Sequence, residues 1–414
     1  MTAVTAASGA REAVGPAAPA QRARLVGLDG IRGLAALFVV LHHCYLMSFP
    51  GYPANTGPVW LAWLLYGHFA VVVFIALSGF SLAVAPARRD WQLGGLARFG
   101  HRRVWRILPP YWAALAFSLL MAWTVAAQPG AGTPTGKSVA VYGLLLQDIF
   151  GSPTPNGAFW SIAIEAQLYL VFPVMLLILR RAGAPVLLGL VCLIVTAIGV
   201  LAPVVSIVDK LNRLTPQFAA LFAMGLVAAG VISASERVRR LPWQWFAAAA
   251  AAPVLVVLVL HSSTWWDANH YWVDFAAGPA VALLLAAVAT RRPTPLVWLL
   301  DTRPVRSLGT FSYSLYLVHA PIVVAINQKL VAPHVAPGLP TLWVTLALAV
   351  PVSVLSARLF AAVFEIPFQR YRSWTALRAA IRARLARLRR AAQPAETPVG
   401  APALAEATAT VSEP

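Results

Sequence analysis

The chain has 414 residues, 59% of them hydrophobic and only 11% charged, with a formal net charge of +18. A soluble domain of this length carries roughly 25% charge, so a water-soluble enzyme is excluded. The positive balance would suit nucleic acid, but the arginines fall in alternate loops between long apolar stretches, which rejects a nucleic-acid partner and points to the lipid bilayer.

Ten apolar stretches are long enough to cross a membrane: 28–49, 59–85, 107–127, 158–180, 184–205, 216–235, 242–261, 272–291, 308–331 and 340–364. Their apolar runs are continuous rather than alternating, so helices are expected and not a β-barrel. The expected fold class is all-α, a polytopic integral membrane helical bundle of about ten transmembrane helices. Arginines crowd the loops 88–106, 180–181, 237–240 and 291–306, whereas Lys137, Lys210, Arg213 and Lys329 fall on the other side. That asymmetry predicts both termini in the cytoplasm.

Segment 1–24 is Ala-rich and polar without an apolar core, so a disordered cytoplasmic segment is expected and no cleavable signal peptide. The first span reads L-D-G-I-R-G-L-A-A-L-F-V-V-L-H-H-C-Y-L and carries Arg32 and His43. Ionisable residues inside a membrane helix are expensive and are functional candidates by default. Eleven residues of helix leave about 20° of rotation and about 16 Å of rise, so Arg32 and His43 share one face; His42 falls about 80° away. Cys44 and Cys192 both lie within spans, and no structural disulfide is expected. The second span contributes His68 and the V-F-I-A-L-S-G-F run with Ser78 and Gly79, where small residues suit close helix packing.

At the mouth of the third span stands R-R-V-W-R-I-L-P-P-Y. Arg102, Arg103 and Arg106 present forked donors suited to phosphates, or alternatively serve as a charge anchor. Segment 138–150 is too short to span and reads as an interfacial or re-entrant piece. The fourth span opens N-G-A-F-W-S-I-A-I-E-A-Q-L-Y. Ser161, Glu165 and Tyr169 share a face beside Trp160, and a carboxylate there needs a partner or an aqueous cavity. Trp60, Trp63, Trp243, Trp245, Trp265, Trp266 and Trp272 fall near span ends, as an interfacial belt would. The ninth span holds G-T-F-S-Y-S-L-Y-L-V-H, with Ser312 and His319. His319 and His68 each suit either a binding pocket or an ordinary interhelical hydrogen bond. After the membrane domain, 25–370, residues 371–414 are expected to form a basic amphipathic helix on the anionic inner leaflet, with Trp374, Leu377, Ile381, Leu385 and Leu388 on its apolar face. A disordered tail is expected to follow.

Entering from opposite sides, His43 at about 22 Å along its span and Glu165 at about 10 Å below the outer face reach similar depths in a core of about 30 Å. The two are expected to meet, with Arg32 at the level of the Arg102–Arg106 cluster.

In this order the motifs resemble the membrane acyltransferase-3 family. The signature of an arginine, ten residues and a histidine falls on Arg32 and His43; I-A-L-S-G-F, Ile75 to Phe80, stands for its F-x-x-S-G-F. Arg103, Arg106, Pro109 and Tyr111 match its arginine-rich element, Trp160, Ser161 and Glu165 its W-S-x-x-x-E, and Ser312, Tyr313, Tyr316 and His319 the last element. Val72 stands where many members carry an acidic or polar side chain. The resemblance implies transfer of an acyl group, acetyl by default, from cytoplasmic acyl-CoA to a hydroxyl of a carbohydrate or glycosylated metabolite. The setting implied is the bacterial inner membrane, without an appended SGNH esterase-like domain. It implies His43 as general base or transient acyl carrier and Glu165 as its orienting carboxylate. Arg32, Arg102, Arg103 and Arg106 would hold acyl-CoA, with Trp160, Ser161, Tyr169, Ser312, His319 and His68 around the substrate. Acyl-CoA is a co-substrate here; no metal and no permanently bound cofactor are expected. The rival reading is a transporter of an acylated metabolite or sugar, for which the same ionisable residues would form a pathway.

Overall fold

The computed structural model describes residues 25–371 and 373–392. The expected disordered segments, 1–24 and the end of the chain from 393, lie outside the described residues. Among the described residues there are helices and no strand. In chain order they are α1 (Leu28–Ser48), α2 (His68–Ala87), α3 (Leu96–Thr124), α4 (Gly136–Gly143), α5 (Trp160–Leu201), α6 (Ser206–Asn212) and α7 (Gln217–Ala228). Then come α8 (Glu236–Arg239), α9 (Trp243–Leu260), α10 (Ser263–Ala289), α11 (Thr294–Leu300) and α12 (Arg303–Thr310). The last are α13 (Ser312–Ala325), α14 (Leu339–Phe360), α15 (Ile366–Arg370) and α16 (Trp374–Ala392). A 3-10 segment, Val59–Tyr66, leads into α2, and π-helical turns follow α13 (Ile326–Val331) and α14 (Ala361–Glu365).

Eight helices are long and apolar enough to cross a membrane, or nine when Ser206–Asn212 and Gln217–Ile232, bent by 49°, are taken as one broken span. The α5 helix is 42 residues long, roughly 63 Å at 1.5 Å per residue and twice a bilayer core. Its helix is interrupted at Gly183, whose φ of 87° is a left-handed value that favours glycine. The two expected stretches 158–180 and 184–205 are therefore the two arms of one interrupted helix, and every apolar stretch read from the sequence has a helical counterpart.

The short piece 138–150 does not span. Its helix, α4, starts in a capping box in which the Thr135 N–H donates to Ser138 Oγ at 3.0 Å. It is tied to α3 by Tyr111 Oη donating to the Tyr142 carbonyl (2.8 Å) and Trp112 Nε1 donating to the Gly143 carbonyl (2.9 Å). The expected interfacial tryptophans Trp60, Trp63, Trp245 and Trp272 are exposed, but Trp266 is buried. It turns inward because Tyr66 and His68 offer it edge-to-face ring contacts, at 5.5 and 5.4 Å between centroids. In α16, Leu377 is buried and Trp374 packs edge-on against Trp105, while Ile381 and Leu385 are exposed. The side chain of Leu388 lies outside the described ones.

The core forms where α2 lies against α1, α7 and α10, and α1 against α12, α13 and α14. The closest approach is that of α2 and α7. A Cβ on Gly225 would overlap the Ala76 carbonyl, and one on Gly79 would overlap the Phe222 carbonyl. Two glycines, one from each helix, thus let the backbones touch. Gly225→Val should cost at least the ~1–3 kcal/mol typical of overpacking, read as a lowered unfolding midpoint in detergent. Gly189, which has open space around its Cβ position, should accept alanine without loss.

Candidate functional site

Helices α1, α2, α3, α5 and α13 and the turn after α14 surround a cavity of about 420 Å³. Its contents are ordered in levels. At one end are Arg32, Arg103 and Arg106, with Ser81 and Gln369. Arg32 Nη2 donates to Ser81 Oγ at 2.6 Å, and its Nη1 lies 3.6 Å from Asp29. The Arg103 guanidinium lies 5.9 Å from the Phe99 ring centre, and its buried Nε has no partner. A second cavity of about 180 Å³ adjoins this end, lined by His101, Arg102, Trp105 and Phe368. It shares Arg103, Arg106 and Gln369 with the first. All three arginines of the α3 cluster therefore line one or other of two neighbouring cavities, and Arg32 joins Arg103 and Arg106 in the first.

One level further in lies Glu165. It accepts hydrogen bonds from Ser78 Oγ at 2.7 Å and from Tyr169 Oη, and the two hydroxyls stand 3.0 Å apart. Ser78 and Gly79 thus divide the small-residue run. The glycine serves helix packing, as expected; the serine turns into the cavity, because adjacent residues on a helix diverge by about 100°.

The far end is closed by Phe74, Ser161 and Tyr316. Ser161 Oγ and Tyr316 Oη are hydrogen-bonded at 2.6 Å, and the Phe74 ring meets Tyr316 edge-on at 5.6 Å. Ser312 also lines the cavity, its hydroxyl donating to the Gly309 carbonyl at 3.0 Å.

His43 does not line this cavity and is not bonded to Glu165. It is paired with His319, whose ring in turn meets that of Tyr316. The His319 ring is 5.8 Å from that of Tyr316 and 4.9 Å from that of His43. The expected meeting of His43 and Glu165 fails because α2 places Ser78 beside Glu165, whereas α13 places His319 beside His43. The hydrogen bonds fix the tautomers. His43 Nδ1 is 2.9 Å from the Val39 carbonyl, and His319 Nδ1 is 3.0 and 2.9 Å from the carbonyls of Leu315 and Tyr316. A carbonyl only accepts, so each Nδ1 carries the proton and each neutral ring keeps its lone pair on Nε2. His319 Nε2 faces His43 Nδ1 at 3.4 Å, which leaves the His43 Nε2 lone pair available as a base. His42 is held elsewhere, with Nδ1 donating to the Leu64 carbonyl at 2.7 Å and its ring against Gly67.

His68 and Trp160 also lie off the cavity. Their rings stack in near-parallel planes, 7° apart at 5.4 Å, and His68 Nε2 is 2.8 Å from Asp274 Oδ2. Two buried carboxylates, Asp274 and Glu365, escaped the sequence reading. Glu365 lines the cavity and accepts from the Ser314 N–H (3.1 Å), Ser314 Oγ (2.5 Å) and Gln369 Nε2 (2.7 Å). The signal that could have found both is the one that found Glu165: a carboxylate inside an apolar span is costly and needs a stated partner.

The family whose description reads "Acyltransferase domain" matches residues 25–388. The chain belongs to the acyltransferase-3 family. Matched residues cover all of α1 to α15, so the cavity and the histidines behind it are both inside the acyltransferase-3 domain. As a member of that family, built from several apolar spans, the chain is a multi-pass membrane acyltransferase. It matches no curated protein and no solved structure.

Proposed function

We propose that this acyltransferase takes an acyl group from cytoplasmic acyl-CoA, acetyl by default, and passes it to a hydroxyl of a carbohydrate or glycosylated metabolite at the bacterial inner membrane. The observation that carries the reading is the cavity that runs from Arg103 and Arg106 past Arg32 to Glu165 and Tyr316, with Arg102 in a neighbouring cavity that shares Arg103 and Arg106. Forked guanidinium groups suit the phosphates of coenzyme A. The narrower, mixed polar and aromatic interior suits a pantetheine arm and a small acyl group.

A hydroxyl is a poor nucleophile until it loses its proton, and a positioned histidine is the natural acceptor. His43 Nε2 takes the acceptor's proton while the acceptor oxygen attacks the acyl carbon. His319, Trp160, Ser161, Tyr169, Ser312 and His68 shape the surroundings. His43 does not line the cavity but pairs with His319, which packs on the cavity residue Tyr316, so transfer requires the acceptor path to open at Tyr316. Residues 25–370 form the catalytic unit, and the termini stand on the cytoplasmic side with α16 against the inner leaflet.

The test is free CoA release from acetyl-CoA by the purified protein in nanodiscs, with and without a glycolipid and polysaccharide extract. Acceptor-dependent release with the acetyl label recovered in the extract supports the reading. Acetyl-CoA left intact in both arms overturns it.

A further inference from the structure

Ser78, Glu165 and Tyr169 have the arrangement of an activated nucleophile. We propose that Ser78 Oγ carries the acyl group as an ester between the donor and the acceptor steps; this rests on the acyl-CoA reading above. Three observations support it. Ser78 Oγ is 2.7 Å from Glu165 Oε1, within reach for proton transfer. The carboxylate is itself held by a third group, Tyr169 Oη, and nucleophile, base and orienting group within hydrogen-bond reach are the mark of covalent catalysis. All three line the cavity that holds Arg32, Arg103 and Arg106, while His43 is not among its lining residues.

That partition is the physical reason for two steps. Within this cavity the donor thioester can reach Ser78 but not His43. An acyl group left on Ser78 lets coenzyme A depart before the far end opens toward the acceptor, so the thioester is never exposed to water on that side.

The chemistry balances. In the first step the Ser78 hydroxyl proton goes to Glu165, Oγ bonds to the thioester carbonyl carbon, and the C–S bond breaks. The leaving thiolate takes the proton from Glu165 and departs as the free thiol. Arg32, which lines the same cavity, offsets the negative charge that develops on the carbonyl oxygen. In the second step the acceptor hydroxyl gives its proton to His43 Nε2, its oxygen attacks the ester carbon, and the C–Oγ bond breaks. The Ser78 oxygen regains a proton from water relayed by Glu165, and His43 releases the acceptor's proton to water, so no net proton is gained or lost.

The experiment mixes the full-length protein in nanodiscs with radiolabelled acetyl-CoA and no acceptor, quenches in acid and maps the labelled peptide. The expected result is a burst of about one CoA per protein, the kinetic mark of an acyl-enzyme, with label on Ser78. Ser78→Ala should lose the burst, and Glu165→Gln, which keeps the shape but cannot accept the proton, should slow it about 100-fold or more. His43→Ala should keep the burst and accumulate label, because only the second step is blocked. Label on His43, or a full burst in both Ser78→Ala and Glu165→Gln, overturns the proposal and leaves acyl-CoA as donor. Wild-type protein that neither binds nor consumes acetyl-CoA overturns the donor reading along with it.

Discussion

His43→Ala should reduce acyl transfer by about 10²–10⁴-fold, the usual contribution of a positioned acid–base group, while His42→Ala retains most of it. The two histidines are neighbours in sequence and both are half-buried, so composition does not separate them. Their partners do. His42 is pinned to the Leu64 carbonyl and packs on Gly67; His43 faces α13 with its Nε2 lone pair unclaimed, next to His319. His43→Gln, which keeps a polar group of similar length without a titratable nitrogen, should be as inactive as alanine. Multiple-turnover product formation in nanodiscs is the measurement, with unfolding midpoints recorded for each variant. Equal losses from His42→Ala and His43→Ala would show that the face of α1, and not the His43 nitrogen, matters.

The second large effect is expected at the donor end. Arg103→Ala and Arg106→Ala together should raise KM for acetyl-CoA by about 100-fold. A hydrogen bond to a charged group contributes about 1.5–3 kcal/mol, and each 1.4 kcal/mol is a factor of about ten in binding. Turnover at saturating donor should change far less, since neither guanidinium meets the Glu165–Ser78–Tyr169 cluster in a direct hydrogen bond. Arg103→Lys should recover only part of the loss, because an ammonium cannot make the forked contact. Raising the salt concentration should raise the wild-type KM and leave that of the double variant nearly flat. Initial rates over a range of acetyl-CoA concentrations at two ionic strengths decide the point.

How much could be read along the chain follows from which interactions are local. Ile198 and Phe38 need only their neighbours to declare an apolar span, so the positions of the helices were legible. So was the separation of Arg32 from His43, which one helix fixes by its own pitch. Gly183, by contrast, gives no sign in sequence that α5 continues beyond it in a new direction. Depth alone made His43 and Glu165 equal candidates for contact, since two residues at one level of a bundle still differ in the direction they face.

The sequence by itself determined a membrane-spanning helical protein and its family, because hydropathy, helical period and motif order are properties of a single strand of chain. Only the tertiary structure decided who meets whom. Ser78 finds Glu165 across 87 residues, His68 finds Asp274 across 206, and His43 finds His319 across 276. Those pairings depend on helix rotation and on the close approach that Gly79 and Gly225 permit between α2 and α7. Rotation and approach are set by side chains on other helices, so no stretch of the chain encodes them alone.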